Sequence, residues 1–129
     1  MKIPMELKYS KDHEWVKIEG NRARVGITDY AQSQLGDVVF VELPAVDSDV
    51  AMGAGFSVVE SVKAVSDIYA PVSGLIVEIN EALTDTPEIM NEDPYGDGWL
   101  VVIEIAHEAD LGELLSSDEY EKLIQAGGH

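Results

Sequence analysis

The chain of 129 residues contains no cysteine. Disulfides, thiolate metal sites and cysteine nucleophiles are therefore excluded together, and any sulfur chemistry has to come from an added group. Long apolar runs are missing as well: the longest, at 38–41 and 99–103, fall far short of the ~18–20 residues of a membrane-spanning helix. Near Met1 there is neither a basic segment leading into an apolar stretch nor an Arg- and Ser-rich presequence. The expectation is a cytoplasmic protein without membrane association. A Gly-rich phosphate loop and a nucleophile elbow are also absent. Basic residues are scarce, 8 Lys and Arg against 25 Asp and Glu for a net charge of −17, and a field of that sign repels phosphate backbones. Nucleic acid is excluded as a partner.

What remains is 46% hydrophobic and 26% charged, the balance of a chain that folds around a core. Its length suits one domain, 1–129. The charges are unevenly placed. Six of the eight basic residues lie at or before Arg24, whereas 21 of the 25 acids lie from Val25 to Glu121, a stretch in which Lys63 is the one basic residue. An ordinary surface lysine in an acidic protein accounts for that as well as a special one does.

Alternating residues 9–18 and 22–27, separated by Glu19, Gly20 and Asn21, predict an N-terminal hairpin over 8–27. Thr28 is placed to cap a short helix ending at Leu35, with Asp29 in its first turn and Gly36 as a left-handed stop. A repeat follows. Gly36, Val38, Val39 and Val41 match Gly74, Ile76, Val77 and Ile79 at an offset of 38 residues, and Phe56, Val58 and Val62 match Trp99, Val101 and Ile105 at an offset of 43. The additional residues of the second copy fall between Leu83 and Gly98. Two such units bury their apolar faces only against each other, which predicts a mainly β fold of two quasi-symmetric sheets with a core over about 25–106. Helical spacing of Leu111, Leu114, Leu115, Tyr120, Leu123 and Ile124 predicts a C-terminal helical segment over 108–125, with Ser116 and Glu119 as a capping box and Gly127 and Gly128 as the stop. Trp15 and Trp99 are expected in the core.

Residues 56–69 are β-prone and contain no Gly, Pro or Asn. As one strand they would reach about 46 Å, against a radius of gyration of about 14 Å for a compact chain of this size. The strand has to break near its middle, at Val62, Lys63 and Ala64, with Lys63 at the tip of a tight turn. Small and β-branched neighbours leave it as the only long side chain there. An amine flanked at a distance by Glu60 and Asp67, rather than desolvated or beside a cation, does not suit a Schiff base. It suits modification by another protein.

The run Glu60-Ser61-Val62-Lys63-Ala64-Val65-Ser66-Asp67-Ile68-Tyr69-Ala70-Pro71-Val72-Ser73-Gly74 closely resembles the lipoyl-attachment segment of the glycine cleavage system H proteins. Tyr9-Ser10-Lys11-Asp12-His13-Glu14-Trp15, Val25-Gly26-Ile27-Thr28, the segment from Leu35 to Pro44 and Asn91-Glu92-Asp93-Pro94-Tyr95-Gly96-Asp97-Gly98-Trp99 resemble that family's other characteristic stretches, in its order and spacing. The resemblance covers nearly the whole chain. It implies a lipoyl-domain fold, a flattened barrel or sandwich extended by an N-terminal hairpin, a short helix and C-terminal helices. It also implies lipoate joined by an amide to Lys63, with Glu60, Ser61, Val62 and Ala64 recognised by the lipoate-attaching enzyme. The implied role is that of a monomeric, non-catalytic carrier. It takes the aminomethyl group of glycine from a pyridoxal-phosphate-dependent decarboxylase, the P protein, to a tetrahydrofolate-dependent aminomethyltransferase, the T protein. Dihydrolipoamide dehydrogenase, the L protein, then reoxidises the arm. Glu14 and Asp67 match positions associated with a cleft that shelters the loaded arm. The absence of cysteine suits such a carrier, because a neighbouring thiol would exchange with the arm's disulfide.

Other readings weigh less. A biotin carrier usually has methionines beside its lysine, where Val62 and Ala64 stand; a lipoyl domain of a 2-oxoacid dehydrogenase continues into further domains. An H-like protein that relays lipoyl groups to other enzymes stays open as the alternative. Asn91, Asp93 and Gly96 fit the start of a calcium loop, but Pro94 intrudes and Val102 stands where the bidentate Glu belongs, so no metal site is expected. His13, His107 and His129 are scattered and lack metal-ligand spacing.

Overall fold

The computed structural model describes residues 1–127; Gly128 and His129 lie outside them. The chain forms β1 (Lys8–Tyr9), β2 (Glu14–Glu19), β3 (Arg22–Ile27), α1 (Asp29–Leu35), β4 (Val38–Glu42), β5 (Asp49–Val50), β6 (Gly55–Ser61), β7 (Val65–Tyr69), β8 (Gly74–Ile79), α2 (Ala82–Asp85), α3 (Ile89–Glu92), β9 (Val101–Ile105), a 3-10 helix (Glu108–Glu113) and α4 (Ser117–Gln125). All strand pairs are antiparallel, in a six-stranded sheet of order β1-β2-β3-β9-β8-β5 and a three-stranded sheet of order β4-β6-β7.

The repeat is visible in the pairing. β4 pairs with β6 in one sheet as β8 pairs with β9 in the other, and each pair breaks register at a bulge, between Val38 and Phe40 and between Ile76 and Glu78. The sheets are unequal because β3 pairs with β9 and so adds the N-terminal hairpin to the second copy alone. Neither sheet closes, so the arrangement is a sandwich. Val16, Ile27, Val41, Val59, Ile68, Ile76, Leu83, Met90 and Ile103 fill the space between the sheets. Burial of that area is the main favourable term in folding.

The local signals hold at the helix ends. Thr28 Oγ1 accepts the Ala31 N–H at 3.1 Å and Gly36 stops α1 at φ 80°. Ser116 and Glu119 form the reciprocal capping box of α4. Two expectations change. The strand expected from residue 9 is interrupted after Tyr9, because Ser10 Oγ accepts the N–H groups of Asp12 and Glu14, each at 3.2 Å, and His13 takes φ 72°. The loop expected between Leu83 and Gly98 contains α2 and α3 instead of irregular chain.

A second cluster joins the two ends of the chain. Tyr9 and Tyr120 stack with centroids 4.7 Å apart, next to Leu7 and Trp15. The Tyr120 hydroxyl lies 2.7 Å from Thr28 Oγ1 and 2.8 Å from His13 Nδ1, so α4 is tied to both the β1–β2 turn and the start of α1. Trp15 is buried and donates its indole N–H to the Pro94 carbonyl at 2.8 Å. Trp99 is only half-buried, with the Arg24 guanidinium 5.1 Å from its ring centroid.

Gly26 lies beneath Trp15, where a Cβ would come within 2.6 Å of the indole nitrogen. Gly26→Ala is expected to destabilise the protein by about 1–3 kcal/mol through overpacking, read as a lower midpoint in urea denaturation.

Candidate functional site

The break required in residues 56–69 occurs where β6 ends at Ser61 and β7 begins at Val65. Two-residue hairpins usually use residues with positive φ, but neither Val62 nor Lys63 takes one. Ser61 supplies the closure instead. Its N–H donates to the Ala64 carbonyl at 2.8 Å, and its hydroxyl accepts the Ala64 N–H at 3.0 Å and the Lys63 N–H at 3.3 Å. A further bond fixes the turn from the side: the Val62 N–H donates to the Asp37 carbonyl, in the α1–β4 junction, at 3.0 Å.

Lys63 stands exposed at the tip between two exposed valines, Val62 at 69% and Val65 at 66%. Glu60 is half-buried and pairs across the sheet with Phe40 on one side and Val65 on the other. Ala64 is exposed. Turn and rim thus present an accessible primary amine on a rigid support, a geometry suited to acylation by a second protein. Among the described residues no cluster of His, Asp and Glu could hold a metal ion. Asn91 of the calcium-like pattern uses its side-chain amide on Gln32, Gly36 and Val38.

The chain matches the family described as Glycine cleavage H-protein over residues 7–127. It belongs to that family. Similar relatives include the glycine cleavage system H proteins of Carboxydothermus hydrogenoformans, 56% identical over 98% of this chain and 97% of that one, and of Staphylococcus epidermidis, 59% identical over 96% and 98%. A crystal structure of a glycine cleavage system H protein from Mycobacterium marinum, 44% identical, superposes with a TM-score of 0.85 over 97% of this chain and 99% of that one. H proteins are the non-catalytic, lipoate-carrying component of the glycine cleavage system. No helix among the described residues is long and apolar enough to cross a membrane.

Glu14 and Asp67 line different grooves. Asp67 is exposed on the rim of a groove of about 310 Å³ that runs between α1 and β7, with Asp12, His13, Tyr30 and Leu35 in its lining. Glu14 is only 1% exposed and lines a second groove of about 340 Å³, with Met52, Pro71 and Leu114. Asp12 borders both. Ser10 Oγ donates to Glu14 Oε1 at 2.5 Å and the Tyr69 backbone N–H also faces the carboxylate, but burial outweighs them and pushes its pKa up to about 7. Sequence reading missed that burial, because alternation shows which side of a strand faces inward and not which distant segment covers its end. It also missed the support given by Asn91, for which the only signal was a polar residue in a loop richer than a connection needs.

Glu14 makes stability depend on pH in a definite direction. Its folded-state pKa lies above its ordinary value of 4.5, so between about pH 4.5 and 7 the folded state holds a proton that the unfolded chain has released, and this group's contribution falls as pH rises. Glu14→Gln is expected to gain stability relative to the unsubstituted protein across that window, by about 3 kcal/mol at most, and to show a constant difference above it. Urea denaturation in a series of buffers measures this.

Proposed function

We propose that this chain carries lipoate in amide linkage on Lys63 and conveys the aminomethyl group of glycine between the enzymes of the glycine cleavage system. The observation that carries the reading is the isolated lysine at an exposed, side-chain-capped hairpin tip in a chain of the H-protein family. Acylation joins Nζ to the lipoate carboxyl, with loss of the ammonium charge, and adds to the net charge of −17. Lipoate, when attached, supplies a disulfide that opens to accept the aminomethyl group and closes again on oxidation. The chain's own part is presentation: a small rigid body holds the root of the arm while its far end reaches successive active sites at high effective concentration.

In this reading Glu60, Ser61, Val62 and Ala64 form the surface read by the lipoate-attaching enzyme, Ser61 by shaping the turn and Val62 as an exposed apolar contact. The P, T and L proteins each receive the arm in turn. Glu14 and Asp67 serve the loaded arm from different sides, Asp67 as an accessible carboxylate and Glu14 as a buried one whose charge changes near neutral pH. The chain works as a single-domain monomer in the cytoplasm.

Incubated with a lipoate-attaching enzyme, ATP and lipoate, the protein is expected to gain the mass of one lipoyl group and Lys63→Arg none. An increment that persists in Lys63→Arg would overturn the site. The lipoylated protein is expected to support glycine–bicarbonate exchange by the decarboxylase, and the unmodified protein is not.

A further inference from the structure

The segment that supports the Lys63 turn from the side is itself held by a residue far away in sequence. Asn91, in α3, donates through Nδ2 to the Gly36 carbonyl at 2.8 Å and to Gln32 Oε1 at 3.0 Å, and accepts the Val38 N–H through Oδ1 at 2.8 Å. It therefore fixes both ends of the tripeptide Gly36-Asp37-Val38. The middle carbonyl of that tripeptide, Asp37, accepts the Val62 N–H. Its first residue is a ledge for the lysine stem: a Cβ built on Gly36 would lie 3.4 Å from Lys63 Cε and 3.9 Å from Cδ.

We propose that Asn91 is a positioning residue for Lys63, acting through the Gly36-Asp37-Val38 ledge to hold the hairpin tip and the root of the lysine in one orientation for the lipoate-attaching enzyme. The sheet cannot do this alone, because the ladder between β4 and β6 breaks register between Val38 and Phe40, next to the tip. Three hydrogen bonds of one side-chain amide replace the missing regularity: two satisfy backbone groups at the Gly36 helix cap and the Val38 strand start, and the third ties the amide to the Gln32 side chain of α1. The brace comes from the longer connection of the second repeat and acts on the lysine of the first, which gives that extra length a purpose. A recognising enzyme gains from a preorganised turn mainly in binding, so loosening it raises KM and leaves kcat for acyl transfer nearly unchanged.

The inference rests on Lys63 as the lipoylated residue, and its structural half is measurable without lipoate. Asn91→Leu and the smaller change Asn91→Asp, which removes the Nδ2 donor, are compared with Tyr120→Phe, a destabilising change remote from the tip. In the unmodified protein, backbone order parameters at Val62 and Lys63 are expected to fall from the rigid range of about 0.85 to below about 0.6 in both Asn91 variants. Those of β8 and β9 should stay unchanged, and Tyr120→Phe should leave Val62 and Lys63 rigid. KM of the lipoate-attaching enzyme for the Asn91 variants is expected to rise about tenfold, one 1.4 kcal/mol step, with kcat within about twofold. Unchanged order at Val62 and Lys63, a loss of order spread evenly over the chain, or local loosening without a rise in KM would each overturn the proposal. If the unsubstituted protein gained no lipoate at Lys63, the carrier reading would fail while the order parameters still decided the bracing.

Discussion

Fourteen consecutive β-prone residues without a breaker cannot run straight through a body of this size, and the rest of the structure is arranged around where that segment turns. Residues 56–69 fold back at Ser61 to Ala64, so β6 and β7 become neighbours and β4 closes the three-stranded sheet on the other side. The turn lacks the backbone conformation that usually joins two strands. A serine side chain inside it and a carbonyl outside it complete the hydrogen bonding. The lysine placed there is exposed, its stem lying against Gly36 at the end of α1.

The duplicated half-units provide the rigid body beneath. Each supplies one antiparallel pair with one bulge, and the two pairs bury their apolar faces against each other. The additions at either end are joined to one another as much as to the core: the β1–β2 turn, the start of α1 and α4 meet at Tyr120, whose ring stacks on Tyr9 and whose hydroxyl meets Thr28 and His13. The hairpin tip stays exposed, and Asp12 and His13 of the β1–β2 turn and Tyr30 and Leu35 of α1 wall the groove beside Asp67. A buried Glu14 next to it is tolerated because Ser10 and the Tyr69 N–H offer bonds to its oxygens and because protonation near neutral pH removes the charge that burial penalises.

The acidic composition acquires a local meaning from this geometry. Where Lys63 projects, the neighbouring strands carry Glu42, Glu60 and Asp67, and no other basic residue lies between Val25 and Glu121. Acylation of that lysine removes the one positive charge of the region, so the modified surface attracts cations more strongly than the unmodified one. The exposed valines on either side of the turn, Val62 and Val65, offer apolar surface within the same acidic frame.

By itself the amino-acid sequence determined the helix ends, the repeat and the place of the break; the local Ser10 turn that interrupts the first strand was not among them. Thr28, Gly36 and the Ser116–Glu119 pair act within one helical turn, so the ends of α1 and α4 are legible from residue type and spacing. The repeat and the position of the break near Lys63 follow from periodicity and from the length a compact body allows. Tertiary structure alone decided the contacts between residues far apart in the chain. It buried Glu14 under β7 and the segment around Leu114, assigned Glu14 and Asp67 to different grooves, and brought Asn91 to Gly36 and Val38, 55 and 53 residues away. It also made the sheets unequal, because the partner of β3 is β9. These depend on which surfaces meet when the two half-units close, and a polar side chain carries no mark in sequence of the distant carbonyl or carboxylate it will face.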